Sequence, residues 1–234
     1  MSTTIKQPKA RQSFSKKGPE IRRQELIDAT FRCLVKYGVS DTSVRTIADE
    51  ASLSLGMVRH YFNSKDELLA ATYRHLSERL QEQTRNLLSS TDGTPLNRLV
   101  AFIQAGLLPP LLDRDYVRIR FLFFELTHTN ATVRAVHEQI YERFENQLLL
   151  LVQAVAEANH RDDANCPMIM RTILTYLKGV WAEWTLPHDD FDPLELVEQI
   201  MPFWLAQIGP LKPLAPPAVA RAPRRASNRA AKTA

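Results

Sequence analysis

Residues 42–65, Thr-Ser-Val-Arg-Thr-Ile-Ala-Asp-Glu-Ala-Ser-Leu-Ser-Leu-Gly-Met-Val-Arg-His-Tyr-Phe-Asn-Ser-Lys, concentrate the side chains whose types and spacing could do chemistry. Arg45, Arg59, His60, Tyr61 and Lys65 carry charge or hydrogen-bonding groups, and small Ser43, Ser54 and Gly56 stand among them with apolar Leu55 and Met57. Guanidinium and hydroxyl donors in such a row suit base edges and phosphates rather than bond-breaking. Small residues at 54 and 56 would let a helix approach bases closely. Lys65 opens a helix, where the N-terminal dipole already favours phosphate.

The elements that must hold these groups are legible in the same stretch. Ser43 can cap a short helix whose Val44, Ile47, Ala48 and Ala51 are spaced to bury one face. Ser52-Leu53-Ser54 reads as a turn, with Leu53 plugging the corner and Ser54 capping a second short helix. Of that helix only Val58 and Phe62 belong in a core, so Arg45, Leu55, Gly56, Met57, Arg59 and His60 face outward, with Tyr61 and Lys65 at the edge. Ser64 and Glu67 form a capping box for a long third helix. Two short helices in this relation predict a helix-turn-helix that offers its second helix to a DNA major groove. The same pattern also occurs in helical bundles that never touch DNA.

Residues 22–69 resemble the N-terminal domain of tetracycline-repressor-type (TetR) regulators. The resemblance rests on Ile27, Phe31 and Leu34 at helical spacing, the ending Tyr37-Gly38, Val44-Arg45-Thr46-Ile47-Ala48, Ser54-Leu55-Gly56, and His60-Tyr61-Phe62 followed by Lys65. It implies that Arg45, Leu55, Met57 and Arg59 reach bases or flanking phosphates, while Tyr61 and Lys65 hold the backbone. Ser52 departs from the family's usual glycine, at a position the turn needs left-handed, at a cost of roughly 1 kcal/mol. Arg59 replaces a frequent tyrosine, which leaves open whether it reads guanine or phosphate.

Composition narrows the alternatives. At 234 residues the chain can bury a sizeable core in one or two domains. Its formal charge of +4 is unevenly spread. Residues 1–18 carry five basic and no acidic side chains, and residues 211–234 carry six basic and none acidic. The body from 19 to 210 is therefore at −7, all of it within 76–210. Both ends lack hydrophobic periodicity and read as disordered; the N-terminal arm, next to the reading head, could add salt-sensitive attraction to DNA, while a solubilising role is expected of the proline-rich tail. Cys33 and Cys166 show no metal-ligand spacing, and Cys33 is expected in the core. No apolar stretch predicts a membrane span or a signal peptide, so a cytoplasmic protein is expected. The six histidines lack metal-binding spacing, and no phosphate loop or nucleophile elbow occurs. Neither catalysis, a metal nor a cofactor is expected.

Beyond residue 65 the chain reads as helix after helix, near 66–89, 95–108, 113–128, 130–158, 166–185 and 193–208, with Pro202 expected to kink the last or shift its start. The fold class is all-α: a basic arm (1–18), a three-helix DNA-binding head (19–65), a larger helical ligand-binding and dimerisation domain (66–210) and a basic Pro/Ala-rich tail (211–234). The last two helices carry apolar faces, among them Leu174, Leu177, Trp181, Ile200, Phe203 and Trp204, that a homodimer contact would bury. In the TetR family dimers commonly form through this pair. One short recognition helix reads too few base pairs, so a dimer on a near-palindromic double-stranded operator is expected.

A small-molecule effector is expected among clustered aromatic and acidic residues: Phe121, Phe124, Glu125, His128, Tyr141, Trp181 and Trp184. Aromatic walls with a carboxylate suit a cationic or amphipathic ligand. The C-terminal half is also similar to choline-responsive repressors of glycine-betaine synthesis, at His60-Tyr61-Phe62 with Leu68 to Thr72, the aromatic stretch 121–124, and Leu177-Lys178-Gly179-Val180-Trp181 followed by Phe191-Asp192. That resemblance implies a choline-like effector. The segment 66–89 is the expected lever between pocket and head. An activator on the same fold and a non-specific architectural DNA binder are the alternatives.

Overall fold

The computed structural model describes residues 18–186 and 192–209; the two basic ends and Phe191 lie outside them. The described residues form nine helices and no strand. In chain order these are α1 (Pro19–Asp41), α2 (Val44–Glu50), α3 (Leu55–Tyr61), α4 (Lys65–Ser90), α5 (Pro95–Ala105), α6 (Arg114–Thr129), α7 (Ala131–Ala158), α8 (Cys166–Thr185) and α9 (Pro193–Ile208).

Side-chain caps set most of the boundaries. Ser43 Oγ accepts from the Thr46 amide while Thr46 Oγ1 accepts from the Ser43 amide, a reciprocal box at α2. Asp113, Asn130, Asn165 and Asp192 likewise cap α6 to α9. At α4 the expected box is half made. Ser64 accepts from the Glu67 amide, but Glu67 reaches past it to the amide and side chain of Asn63. Gly38, at φ 71°, breaks α1 near its end. Pro202 neither moves the start of α9 nor ends it; the helix runs on to Ile208 with Pro202 on its exposed side.

Three apolar clusters organise the molecule. Leu26, Ile27, Ala29, Cys33, Ile47, Ala48, Val58, Phe62 and Leu68 close the head around α1 to α3 and the start of α4. Tyr73, Leu76, Leu80, Tyr116, Ile119, Phe123, Val133 and Val136 join α4, α6 and α7 beneath it. The largest cluster unites α5, α7, α8 and α9.

That largest cluster corrects the expected dimer face. Leu174, Leu177, Trp181 and Trp204 are buried within their own chain. Helix α8 packs against α6, α7 and α9, so it needs more than one apolar side before any partner arrives. Trp181 shows how tightly: its indole Nε1 donates to the Gly106 carbonyl at 2.9 Å, and a Cβ at Gly106 would lie 2.7 Å from its ring. Phe203 is exposed and Ile200 half-buried, leaving them on the outer side of the pair.

Candidate nucleic-acid interface and effector cavity

The head presents α3 outward. Ser54 Oγ accepts from the Met57 amide at 3.2 Å, and the Ser54 carbonyl begins the helical ladder. Val58 and Phe62 anchor the inner side in the core. Arg45, Gly56, Met57, Arg59 and His60 are exposed, as are Ser43 and Ser54, whereas Leu55 and Tyr61 are half-buried against the head core. Leu55 is thus a partial support as well as a surface residue. Ser43, Val44, Arg45, Leu55, Arg59, Asn63 and Ser64 line one shallow groove, so the α2 and α3 candidates share a surface. Ser52 has φ 54°, the left-handed conformation expected of the turn.

Lys65 is less free than the sequence reading implies. It is half-buried, and its ammonium donates to the Val39 carbonyl at 2.8 Å, tying the end of α1 to the start of α4. An ammonium has three donors, so this bond leaves capacity for a phosphate.

The larger domain encloses a small cavity between α4, α6, α7 and α8. Its lining includes Tyr73, Ser77, Gln81, Arg120, Phe124, Ile140, Tyr141, Phe144, Lys178 and Trp181. Of the expected effector residues Phe124, Tyr141 and Trp181 are brought together there. Phe121 supports Phe124 edge-on, with ring centroids 5.7 Å apart. Glu125 and His128 are exposed and take no part in the lining, and Trp184 is half-buried outside it. The expected carboxylate wall is therefore corrected: α6 turns Arg120 and Phe124 inward, and the next residue, Glu125, turns away.

Two cations stand in its place. The Arg120 guanidinium lies 4.3 Å from the Trp181 ring centroid, and the Lys178 ammonium lies 4.5 Å from that of Tyr141. Among the described residues neither forms an ion pair. Beside them, His137 stacks on Tyr141 at 4.8 Å, and its Nδ1 is 2.7 Å from the Tyr73 hydroxyl. Burial, with Lys178 nearby, holds the His137 imidazole below its usual range. Burial also pushes the Tyr73 phenol upward, so the pair shares its hydrogen bond with both groups neutral. Sequence reasoning missed Tyr73, Ser77, Arg120, His137 and Lys178. A signal existed: Arg120 and Phe124 are four residues apart on one helix, as are Tyr73 and Ser77, while Lys178 and Trp181 are three apart.

Helix α6 also touches the head. Arg118, two residues from Arg120, donates from Nη2 to the Val35 carbonyl of α1 at 2.7 Å. Gln24 of α1 meets His75 of α4 at 3.1 Å, and the Tyr116 hydroxyl of α6 donates to the Leu76 carbonyl of α4.

An outward-facing, capped recognition helix on an all-α body with its own small cavity defines a helix-turn-helix transcriptional regulator. Residues 26–72 match the family profile described as bacterial regulatory proteins, tetR family, and residues 95–209 match that of the BetI-type transcriptional repressor, C-terminal. The chain belongs to the tetR family of bacterial regulatory proteins. It is 29% identical over 174 residues to the HTH-type transcriptional regulator BetI of Burkholderia thailandensis, covering 74% of this chain and 86% of that one. A solved transcriptional regulator from Pseudomonas aeruginosa PAO1 superposes with a TM-score of 0.76 at 29% identity, covering 83% of this chain and 93% of that one. A regulator from Saccharomonospora viridis solved with choline shares the fold at a TM-score of 0.67 and 16% identity, covering 80% and 96%. No helix among the described residues is long and apolar enough to cross a membrane.

Proposed function

We propose that the chain acts as a homodimeric repressor that holds a near-palindromic operator through paired α3 helices and releases it when a small molecule enters the α4–α8 cavity. The observation that carries this reading is the exposure of Arg45, Gly56, Met57, Arg59 and His60 around a helix fixed from behind by Val58 and Phe62. Two such heads about 34–36 Å apart would meet successive major grooves on one side of a duplex. The match to the BetI-type repressor C-terminal profile favours repression, and kinship with regulators favours a role without catalysis.

Release follows from linkage. A ligand that binds a differently spaced dimer better than the DNA-bound one shifts the population by its differential affinity, and no further. The cavity has about 20 Å³ of free space, room for one water, so any effector must part its walls. Two of those walls belong to α4 and α6, which both grip α1. Selection of DNA from a random pool by the full-length protein tests the proposal. A paired half-site motif one helical turn apart, or a multiple of it, is expected. Equal recovery of all sequences would overturn it in favour of non-specific binding.

A further inference from the structure

The chemistry of the cavity assigns its ligand class, and this inference rests on the effector-responsive reading above. We infer that the effector is an amphipathic organic anion, a carboxylate with an apolar body, rather than a quaternary ammonium ion. An external cation is held by aromatic faces left open to it and by a nearby carboxylate. Here two of the five aromatic rings that line the cavity, Tyr141 and Trp181, already carry the chain's own Lys178 and Arg120. Among the described residues no carboxylate lines the cavity, and Glu125 is exposed outside it. A cation entering would sit beside both positive charges, with no carboxylate among the described lining residues to offset them.

An anion meets the opposite situation. Arg120 and Lys178 come from different helices, are half-buried, and lack acidic partners among the described residues. A carboxylate between them would be held by charge-assisted hydrogen bonds, with the planar guanidinium able to take both oxygens. Phe124, Ile140, Phe144 and Leu174 supply an apolar wall for the remainder. Ser77 and Gln81, on successive turns of α4, offer neutral hydrogen-bonding groups. Among the described residues, parting the walls breaks no ion pair of Arg120 or Lys178.

The test uses the full-length protein and its selected operator. Sodium hexanoate, octanoate, benzoate and phenylacetate would be compared with choline chloride, hexyltrimethylammonium and phenyltrimethylammonium chlorides at equal millimolar ionic strength. Equal ionic strength removes the general salt effect on DNA affinity. At least one carboxylate is expected to raise Tm saturably and weaken operator binding by about tenfold or more, with the ammonium ions inert. The double variant Arg120→Gln/Lys178→Gln should lose both responses, and Arg120→Lys/Lys178→Arg should keep most of them. Circular dichroism and operator affinity without ligand establish that each variant is folded. Release by an ammonium ion, silence of all four carboxylates, or a full response in the Gln variants would overturn the anion assignment. Failure of unliganded protein to bind any operator would instead overturn the regulatory reading on which it rests.

Discussion

At the scale of the residue, similar side chains do different work according to what holds them. Arg45 is exposed beside the recognition helix, free to meet a base edge, whereas Lys65 is already bonded to the Val39 carbonyl. Arg45→Ala is expected to cost about 1–3 kcal/mol on the selected operator and much less on random duplex. Lys65→Ala should weaken both alike and reduce the salt slope by about one, while also lowering Tm because α1 loses its tie to α4. Binding titrations at several salt concentrations separate the two; equal losses on both duplexes for Arg45→Ala would exclude base reading by that side chain. Gly106 carries no charge and lies outside the cavity, yet it seats Trp181, one of the lining residues. Its hydrogen is all that fits against Trp181, since a Cβ would meet the ring at 2.7 Å. Gly106→Ala should cost about 1–3 kcal/mol by overpacking, read as a fall of roughly 2–4 °C in Tm for each kcal/mol. An unchanged Tm would mean that Trp181 can shift without cost.

At the scale of the element, the helices themselves were largely legible because their ends are written in short-range chemistry. Asp113, Asn130, Asn165 and Asp192 cap where the polar-to-apolar periodicity begins, and the expected spans 113–128, 130–158, 166–185 and 193–208 end within a residue or so of the observed ones. The head was equally legible, down to the left-handed Ser52, because its packing is local. What did not show was anything assembled from distant helices. The cavity's charge comes from Arg120 and Lys178, far apart in sequence, and the apolar stripe of α8 looks the same whether it faces α6 and α9 or a second subunit. Coupling is of this kind too. The lever expected in α4 would gain a second arm in α6, where Arg120 faces the cavity and Arg118 grips the Val35 carbonyl. That bond is exposed, so Arg118→Ala should change stability by no more than about 0.5 kcal/mol. It should nevertheless remove about 1 kcal/mol of the coupling between effector and operator, with affinity for operator alone retained. Measuring operator affinity with and without effector in both proteins closes the cycle. An unaltered ratio would place the coupling in α4 alone.

At the scale of the whole molecule, reading a palindrome requires two heads held at fixed spacing, and one chain supplies only one. The surface that α8 and α9 leave outward is suited to supply the second. Met168, Arg171, Thr175, Gly179 and Ala182 are exposed along α8, and Glu195, Gln199, Pro202, Phe203 and Ala206 along α9. Phe203 is 59% exposed and Met168 56%, unusual for side chains of their size. The small residues between them allow a partner helix to approach closely, as in a four-helix contact. Because the large aromatics behind this surface are already buried in the chain's own core, loss of the dimer need not unfold the monomer. Phe203→Asp is therefore expected to shift the sedimenting mass toward the monomer while leaving helical content unchanged. Operator affinity should fall at least about tenfold, since an isolated head gives up the gain from tethering two half-sites. Half-site affinity should remain as before. Trp204→Asp provides the contrast: Trp204 is 2% exposed, so it should unfold the larger domain outright. A Phe203→Asp protein that stays dimeric at micromolar concentration would move the interface off this face of α9.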